Sequence, residues 1–225
     1  QPKNMTISLM EHQKTAIYAM SKLETDGKLY AENITQYGDS HNFNIETSLG
    51  ILADKVGSGK SLMIISLINN LKVPINRETY WEGSKFIAIK SSSTSNPVSC
   101  NLLIVPHKLL PQWVDFFKLA PDLKIDTYKN IDDENRINNI DDLKDIDVCI
   151  LACTKSTTFF TKFYNTKWAR VIVDEADSIK LSINALFNAS FVWLVTATPK
   201  SLRISNKGSL SKIFNNMPPW IFNYL

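Results

Sequence analysis

Short runs of apolar, mostly β-branched residues recur along the chain and are separated by longer segments of mixed polarity. Five such runs are predicted to be strands: residues 48–53, 102–106, 147–152, 170–173 and 191–196. The runs lack a regular apolar–polar alternation, which is typical of strands that are buried on both faces. The pattern therefore predicts an α/β fold in which a mostly parallel central sheet carries helices on both faces.

Helical periodicity appears between these runs. Residues 8–24, 60–72, 108–118 and 154–164 are predicted to be helices. In the first of these segments, apolar side chains recur at roughly helical spacing and predict a buried stripe: Leu9, Ile17, Met20 and Leu23.

Three polar stretches interrupt this order. Residues 25–47 are predicted to form a loop, and residues 74–100, which include the sequence SSSTSNP, are predicted to form a partly disordered surface insertion. The acidic stretch 132–147 is expected to be a solvated helix or loop. No internal repeat is present, so we expect a single domain over residues 1–225 with polar insertions near 25–47 and 74–100.

Composition narrows the class of protein. The 225 residues are 44% hydrophobic and 21% charged, as in an ordinary globular protein, and no apolar run reaches the roughly 18 residues of a membrane span. The net charge of +3 permits nucleic-acid binding through a local patch without requiring it. Three cysteines without metal-ligand spacing predict free, mostly buried thiols in a reducing intracellular compartment.

The strongest chemical signal is the sequence DKVGSGKS at residues 54–61, between a predicted strand and a predicted helix. Its glycines allow backbone N–H groups to point at phosphate oxygens, and the helix adds the positive end of its dipole. Lys60 is expected to reach the β- and γ-phosphates of ATP, and the Ser61 hydroxyl to bind Mg²⁺. Asp54 stands where the strict pattern has glycine, and without its flanking elements the segment could be a chance loop. The predicted nucleotide-binding residues are Gly57, Ser58, Gly59, Lys60 and Ser61.

A second signal is the sequence VIVDEAD at residues 171–177, an apolar strand that ends in carboxylates. Asp174 is expected at the C-terminal edge of the sheet, beside the phosphate loop, where it can hold Mg²⁺ through water. Glu175 is expected to orient and polarise the attacking water, so Lys60, Asp174 and Glu175 form the predicted catalytic set. The alternative is a pair of solvated turn residues.

A third signal is the sequence LVTATPK, which follows the last predicted strand. The hydroxyls of Thr196 and Thr198 can hydrogen-bond the acidic motif and link the nucleotide state to the grip on nucleic acid. A turn with threonine and proline is common after a strand, so this motif is informative only beside the other two.

Together these residues resemble superfamily 2 helicases, and the wider pattern is similar to the Swi/Snf-type DNA translocases. The family's L-x-x-x-Q motif matches residues 9–13, its I-L-A-D-x-x-G-x-G-K-[ST] motif matches residues 51–61, and its I-V-P-x-x-L-x-x-Q-W motif matches residues 104–113. The resemblance runs in order along nearly the whole chain. It implies a RecA-like P-loop NTPase lobe that binds ATP and Mg²⁺, in which Gln13 reads the adenine edge.

The chain departs from the family in two places. Residues 174–177 spell D-E-A-D, as in RNA-directed DEAD-box helicases, where Swi/Snf relatives usually end in Gly-His. Residues 25–47 lengthen the segment between Gln13 and Lys60. DEAD-box proteins have a different adenine-reading segment and lack the Q-W motif, so duplex DNA is the implied partner. An RNA helicase and a non-hydrolysing, nucleotide-dependent scaffold remain the alternatives.

The resemblance also implies which loops meet nucleic acid. The loops after the strands at 102–106 and 147–152 would face the phosphate backbone and give binding that is independent of sequence. Each candidate side chain could equally be a solvated loop residue: His107, Lys108, Thr154 and Lys155. The aromatic residues of the helix at 108–118 are expected to pack in the core: Trp113, Phe116 and Phe117.

In the family, ATP turnover drives movement along DNA and needs an arginine from a second RecA-like lobe. Nothing after Pro199 resembles such a lobe, so we expect a domain of a longer protein that hydrolyses ATP slowly by itself. The chain has 24 Ile, 20 Asn and 21 Lys but 4 Arg, which is typical of an AT-rich coding genome. In this content of Ile, Asn and Lys the chain is similar to divergent family members of large DNA viruses such as mimiviruses. A viral origin would locate the protein in the host cytoplasm, the virus factory or the virion.

Overall fold

The computed structural model describes residues 4–36, 39–75, 79–84, 87–91, 97–181, 188–204 and 210. Its strands are β1 (Lys28–Gln36), β2 (Asp39–Glu46), β3 (Leu49–Ala53), β4 (Thr79–Ser84), β5 (Ile87–Ser91), β6 (Val98–Val105), β7 (Ile125–Tyr128), β8 (Val148–Ala152), β9 (Trp168–Val173) and β10 (Ala189–Thr196). Its α-helices are α1 (Glu11–Asp26), α2 (Lys60–Asn70), α3 (Leu110–Phe117), α4 (Ile131–Arg136), α5 (Ser156–Lys162) and α6 (Pro199–Ile204).

Six parallel strands form the central sheet in the order β3-β10-β9-β6-β8-β7. All five predicted strands are present. The sixth strand, β7, was not predicted. It is a short edge strand of sequence IDTY in which Tyr128 alone is fully buried, so it has no continuous apolar run. β8, β9 and β10 are buried along their whole length, as their continuous apolar sequences predict.

Each face of the sheet packs against its own set of helices. Successive residues of a strand point to opposite faces, so Leu103 and Val105 lie in one core while Leu102 and Ile104 lie in the other. α1, α2 and α3 cover the first face, and the chain around α4 together with α5 covers the second. The predicted stripe of α1 is buried in the first core, and the α/β prediction with helices on both faces is confirmed.

A buried ion pair joins α1 to three strands. The side chains of Glu24 and Arg170 are fully enclosed, and Arg170 donates from Nε and Nη2 to the two carboxylate oxygens at 2.6 Å. Trp193 donates to the same carboxylate at 2.8 Å, and Arg170 donates from Nη1 to Asn101 Oδ1 at 2.9 Å. α1 is thereby tied to β9, β10 and β6 by hydrogen bonds that satisfy the buried charges.

The prediction of a loop over residues 25–47 is wrong. β1 and β2 pair in antiparallel register, from Lys28 opposite Glu46 to Gln36 opposite Asp39. Apolar residues alternate with polar ones at Phe43 and Ile45, and such a pattern favours a strand over a loop. In the second insertion β4 and β5 also pair in antiparallel register. Partial disorder is predicted for residues 74–100, of which 76–78, 85–86 and 92–96 lie outside the described residues.

The acidic stretch folds into α4, a short coil and the 3₁₀ turn Ile140–Leu143. Its charged side chains are mostly exposed, as predicted, whereas Ile137 and Leu143 are buried in the second core. The three cysteines are free, and Cys100 and Cys149 are buried, which confirms that part of the prediction. In the ranges that the structure describes, no helix is long and apolar enough to cross a membrane.

Candidate nucleotide-binding site

The register of the sheet brings the predicted motifs to one edge. Three segments follow strand ends: the phosphate loop (residues 54–61) after β3, the acidic segment (174–177) after β9 and the threonine turn (196–198) at the end of β10. β10 lies between β3 and β9, with Thr196 opposite Ala53 and Leu194 opposite Val173. Neighbouring strands are about 4.8 Å apart, so the phosphate loop and the acidic segment begin roughly 10 Å from each other.

The phosphate loop has the conformation that its glycines permit. Gly57 and Gly59 have φ angles of 82° and 85°, in the left-handed region that favours glycine. Lys60 Nζ donates to the carbonyl oxygens of Asp54 at 2.8 Å and Lys55 at 2.9 Å, so its ammonium lies against the loop. The N-terminus of α2 has no side-chain cap, which leaves its first N–H groups free to bind an anion.

A second observation also fits phosphate binding. Ser58 Oγ is buried and has no hydrogen-bond partner within the described part of the chain. A buried hydroxyl without a partner costs free energy unless a ligand or water supplies the missing hydrogen bond. Hydroxyl, backbone N–H and ammonium donors therefore converge on one loop, and this donor set suits a phosphate chain.

Gln13 lies against the phosphate loop. Its Nε2 donates to the Ser58 carbonyl at 3.1 Å, its Oε1 accepts from the Met10 N–H at 2.9 Å, and the residue is 5% exposed. His12 Nε2 also lies 3.1 Å from the Ser58 oxygen. Each amide atom of Gln13 can make one further hydrogen bond. Reading of the adenine edge by Gln13 stays a prediction that these contacts allow.

The acidic segment is held by backbone hydrogen bonds to the strands on both sides. The Asp174 N–H donates to Ile104 O at 2.9 Å, and the Ala176 N–H donates to Val195 O at 3.0 Å. Between them Glu175 has a φ of 50°, which is uncommon for a residue other than glycine. Asp174 Oδ1 accepts from the Glu175 N–H at 3.0 Å, and Asp174 Oδ2 accepts from Trp113 Nε1 at 2.8 Å.

The carboxylates of this segment are partly desolvated. Burial raises the pKa of Asp174 above its ordinary value, an effect opposed by the Trp113 and Glu175 hydrogen bonds and by the charge of Lys60. Burial also raises the pKa of Glu175, with further increases from Asp174 and Asp177 and a decrease from Lys60. Because the charge of Lys60 acts on both carboxylates, the phosphate loop and the acidic segment share one electrostatic environment.

The threonine turn contacts the acidic segment directly. Thr196 Oγ1 donates to Asp177 Oδ1 at 2.5 Å, and Thr198 Oγ1 donates to Asp177 Oδ2 at 2.9 Å. The Thr198 N–H donates to Thr196 Oγ1 at 2.9 Å. The expected hydrogen bonds between the third motif and the acidic motif are thus present, and Asp177 accepts them.

The SNF2-related domain family matches residues 12–219. The chain belongs to this family. The SNF2-related domain is a helicase and ATPase domain, and the six-stranded parallel sheet with helices on both faces is consistent with its RecA-like lobe. The resemblance to Swi/Snf-type proteins that the motifs indicate is confirmed.

Relatives of this SNF2-related chain include one viral protein and two yeast proteins. The helicase-named protein R592 of Acanthamoeba polyphaga mimivirus is 27% identical to this chain. The match covers 92% of this chain and 34% of R592. DNA repair protein RAD5 of Kluyveromyces lactis is 25% identical over 76% of the chain and 18% of its own length. Transcription regulatory protein SNF2 of Saccharomyces cerevisiae is 26% identical over 77% of the chain and 9% of its own length. The chain therefore spans about a third of the viral relative and less than a fifth of the two yeast relatives.

The four candidate nucleic-acid residues of the SNF2-related chain lie at the same edge of the sheet. β6 and β8 are neighbours, with Val105 opposite Ala152, and the turns 107–109 and 153–155 follow them. His107, Lys108 and Thr154 are exposed there. Lys155 is instead bonded to Glu134 of α4 at 2.7 Å. Contact of these residues with nucleic acid stays a prediction.

The sequence did not reveal a polar contact of Trp113. The residue packs in the core as predicted, with 2% of its surface exposed and with Phe116 and Phe117 as neighbours. Its indole N–H also reaches the carboxylate of Asp174. A signal was available, because a buried indole usually finds an acceptor and the Q-W motif follows the strand beside β9.

Proposed function

We propose that this chain is the ATP-binding lobe of a duplex DNA-dependent ATPase that couples hydrolysis of Mg²⁺-ATP to movement along nucleic acid. The observation that carries the proposal is the convergence of the phosphate loop and the acidic segment at the ends of β3 and β9, the two strands that flank β10, with the charge of Lys60 acting on both carboxylates. Membership of the SNF2-related family supports it independently.

Each residue of the site has a role that its surroundings support. Lys60, once released from the carbonyls of Asp54 and Lys55, neutralises the charge of the β- and γ-phosphates. The free N–H groups at the start of α2 bind phosphate oxygens. Glu175 orients and polarises the attacking water, and its raised pKa makes its carboxylate a stronger base than an ordinary glutamate.

Ser61 and Asp174 are the residues that would hold Mg²⁺. Mg²⁺ is usually bound by one or two protein oxygens together with phosphates and water, and one hydroxyl with one carboxylate matches this coordination preference. The described residues contain no group of three or more His, Cys, Asp or Glu side chains that could hold a metal ion by themselves. When bound, Mg²⁺ neutralises charge on the phosphates and polarises the bond that breaks.

The turns at the ends of β6 and β8 are the proposed contact with nucleic acid. They lie at the same edge as the phosphate loop, one and two strands beyond β9. Thr196, at the end of β10, and Thr198 both hydrogen-bond the Asp177 carboxylate and so join the end of β10 to the acidic segment. We propose that these hydrogen bonds couple the state of the nucleotide to the grip on the phosphate backbone.

The proposal is tested on the full-length protein. ATP hydrolysis is measured with duplex DNA, with single-stranded RNA and without nucleic acid, for the wild type and for Glu175→Gln. We expect stimulation by duplex DNA and a loss of about 10²–10⁴-fold in kcat for Glu175→Gln, with nucleotide binding retained. Stimulation by RNA alone would favour an RNA helicase, and unchanged hydrolysis in Glu175→Gln would exclude the proposed role of Glu175.

The isolated lobe gives a second comparison. Hydrolysis needs a cationic group that neutralises the developing charge, and in this type of ATPase that group comes from a second lobe. Residues 1–225 alone are therefore expected to bind ATP weakly and hydrolyse it slowly. Vigorous DNA-stimulated hydrolysis by residues 1–225 would contradict this expectation.

A further inference from the structure

The indole of Trp113 is enclosed in the core except for the hydrogen bond that it makes at the candidate site. The residue is 2% exposed, and its ring lies 6.3 Å from the ring of Phe116 and 6.2 Å from that of Phe117. Its single polar atom, Nε1, donates to Asp174 Oδ2 at 2.8 Å. The same side chain therefore has an apolar contact surface in the core and a directed contact with a charged group.

The hydrogen bond restricts the orientation of the Asp174 carboxylate. Oδ1 accepts from the Glu175 N–H and Oδ2 accepts from the Trp113 indole, so each oxygen has one fixed donor. The backbone of Asp174 is fixed as well, because its N–H donates to Ile104 O. With both oxygens and the backbone held, the free lone pairs of the carboxylate point in defined directions.

Packing alone does not require this arrangement. A buried indole N–H can be satisfied by any nearby acceptor, including a backbone carbonyl. Here the acceptor is the carboxylate that would hold Mg²⁺, and the donor comes from α3 and not from the acidic segment itself. Residues that hydrogen-bond a metal-binding carboxylate in this way usually tune the affinity for the metal.

We propose that Trp113 is a positioning residue, which holds the Asp174 carboxylate in the orientation that recruits Mg²⁺ to the bound nucleotide. This inference rests on the proposed function, because it presupposes that the phosphate loop binds a nucleotide. It adds a residue of the Q-W motif to the metal site and assigns it a polar role in addition to its packing role.

Two replacements separate the polar role from the packing role. Trp113→Phe keeps an aromatic ring beside Phe116 and Phe117 but removes the N–H donor. Incorporation of benzothienylalanine at position 113, in which sulfur replaces the indole N–H, removes the donor while keeping the shape of the ring. Trp168→Phe is the matched control, since Trp168 is 1% exposed and packs against Phe159 in the other core.

The readout is nucleotide binding and not hydrolysis. Affinity of the full-length protein for a fluorescent, non-hydrolysable ATP analogue is measured in EDTA and over a series of Mg²⁺ concentrations, with a thermal midpoint for each variant. For both Trp113 replacements we expect metal-free affinity within about twofold of wild type and a half-saturating Mg²⁺ concentration about 10–100-fold higher. Trp168→Phe is expected to lower the thermal midpoint and leave the half-saturating Mg²⁺ concentration unchanged.

Two results would overturn the inference in distinguishable ways. An unchanged Mg²⁺ dependence in a folded Trp113→Phe or benzothienylalanine protein would show that Trp113 does not position the metal ligand. Failure of the wild-type protein to bind the analogue, with or without Mg²⁺, would remove the nucleotide site itself and with it the proposed function.

Discussion

At the scale of single residues, Gly59 meets two constraints at once. Its φ of 85° is costly for any residue with a side chain, and a β-carbon added there would lie 2.3 Å from Gln13 Nε2. Gly57 has a similar φ of 82°, but a β-carbon added there would meet nothing within 4 Å. Substitution of either glycine therefore introduces backbone strain, but only substitution of Gly59 also disturbs Gln13.

We expect Gly57→Ala and Gly59→Ala each to cost about 1–2 kcal/mol in the free energy of unfolding, because both force alanine into the left-handed region. Gly59→Ala is expected in addition to displace Gln13 from the Ser58 carbonyl and to reduce the preference for ATP over GTP. Urea titration and competition binding with the two nucleotides measure these effects. Equal nucleotide preference in the two variants would contradict a role of Gln13 in reading adenine.

Glu175 is a second residue whose backbone departs from the common regions. Its φ of 50° persists because Asp174 and Ala176 are each hydrogen-bonded to a neighbouring strand, which leaves the intervening residue little freedom. Strain of this kind in a non-glycine residue is concentrated at functional sites. The conformation is consistent with a side chain that is held in place for chemistry, although the sequence alone could not have revealed it.

At the scale of elements, the ion pair between α1 and β9 is expected to be critical for the fold. Arg170 and Trp193 surround the Glu24 carboxylate with donors only. In Glu24→Gln the new amide N–H₂ would face another donor, and the Arg170 charge would stay buried without a counter-charge. We expect a loss of about 3–5 kcal/mol in the free energy of unfolding, measured by urea titration.

The control for this change is an ion pair on the surface. Lys118 and Asp115 lie 2.7 Å apart with 74% and 67% of their side chains exposed. Asp115→Asn is expected to change stability little, because exposed pairs are screened by solvent. Equal effects of Glu24→Gln and Asp115→Asn would contradict the importance of the buried pair.

Helix α4 is expected to restrain one of the candidate nucleic-acid contacts. Glu134 accepts from Lys155 Nζ at 2.7 Å, while the α4 region is also held through Lys162, whose Nζ donates to the carbonyls of Glu134 and Ile137. Glu134→Gln therefore releases the Lys155 charge without undocking the helix. We expect the affinity for duplex DNA to rise by up to about fivefold, because the pair is partly accessible to solvent and such surface pairs are worth about 0–1 kcal/mol.

The salt dependence of binding provides the measurement. If Lys155 gains a phosphate contact, the slope of log affinity against log salt becomes steeper by about 0.9 in Glu134→Gln. Asp132→Asn is the control, since it removes an exposed carboxylate from the same helix. An equal rise in affinity for both variants would mean that net charge, and not the release of Lys155, is responsible.

At the scale of the whole molecule, the central sheet was the most predictable part. Strands buried on both faces have continuous apolar sequences, so β8, β9 and β10 could be recognised without knowledge of their neighbours. The edge strand β7 and the β1–β2 hairpin could not be recognised in this way. Among the described strands each of these pairs with a single neighbour, and three of the four residues of β7 are only half-buried, so little of its sequence has to be apolar.

The residues of the candidate site could be nominated from the sequence. Lys60, Ser61, Asp174 and Glu175 were predicted because phosphate binding and metal binding demand particular residue types at strand ends, and their roles stay predictions. The contacts between segments were harder to foresee. Trp113 lies 61 residues before its acceptor and Glu24 lies 146 residues before Arg170, and only the folded sheet brings these pairs together.

The central claim is that the phosphate loop and the acidic segment bind one metal–triphosphate between them. Crystals of the protein grown with Mn²⁺ and a non-hydrolysable ATP analogue test it, because anomalous scattering locates the metal directly. The account predicts one Mn²⁺ peak that is bound to the Ser61 hydroxyl and is joined to the Asp174 carboxylate directly or through one water. A triphosphate bound away from residues 54–61, or a metal that Asp174 does not reach, would contradict it.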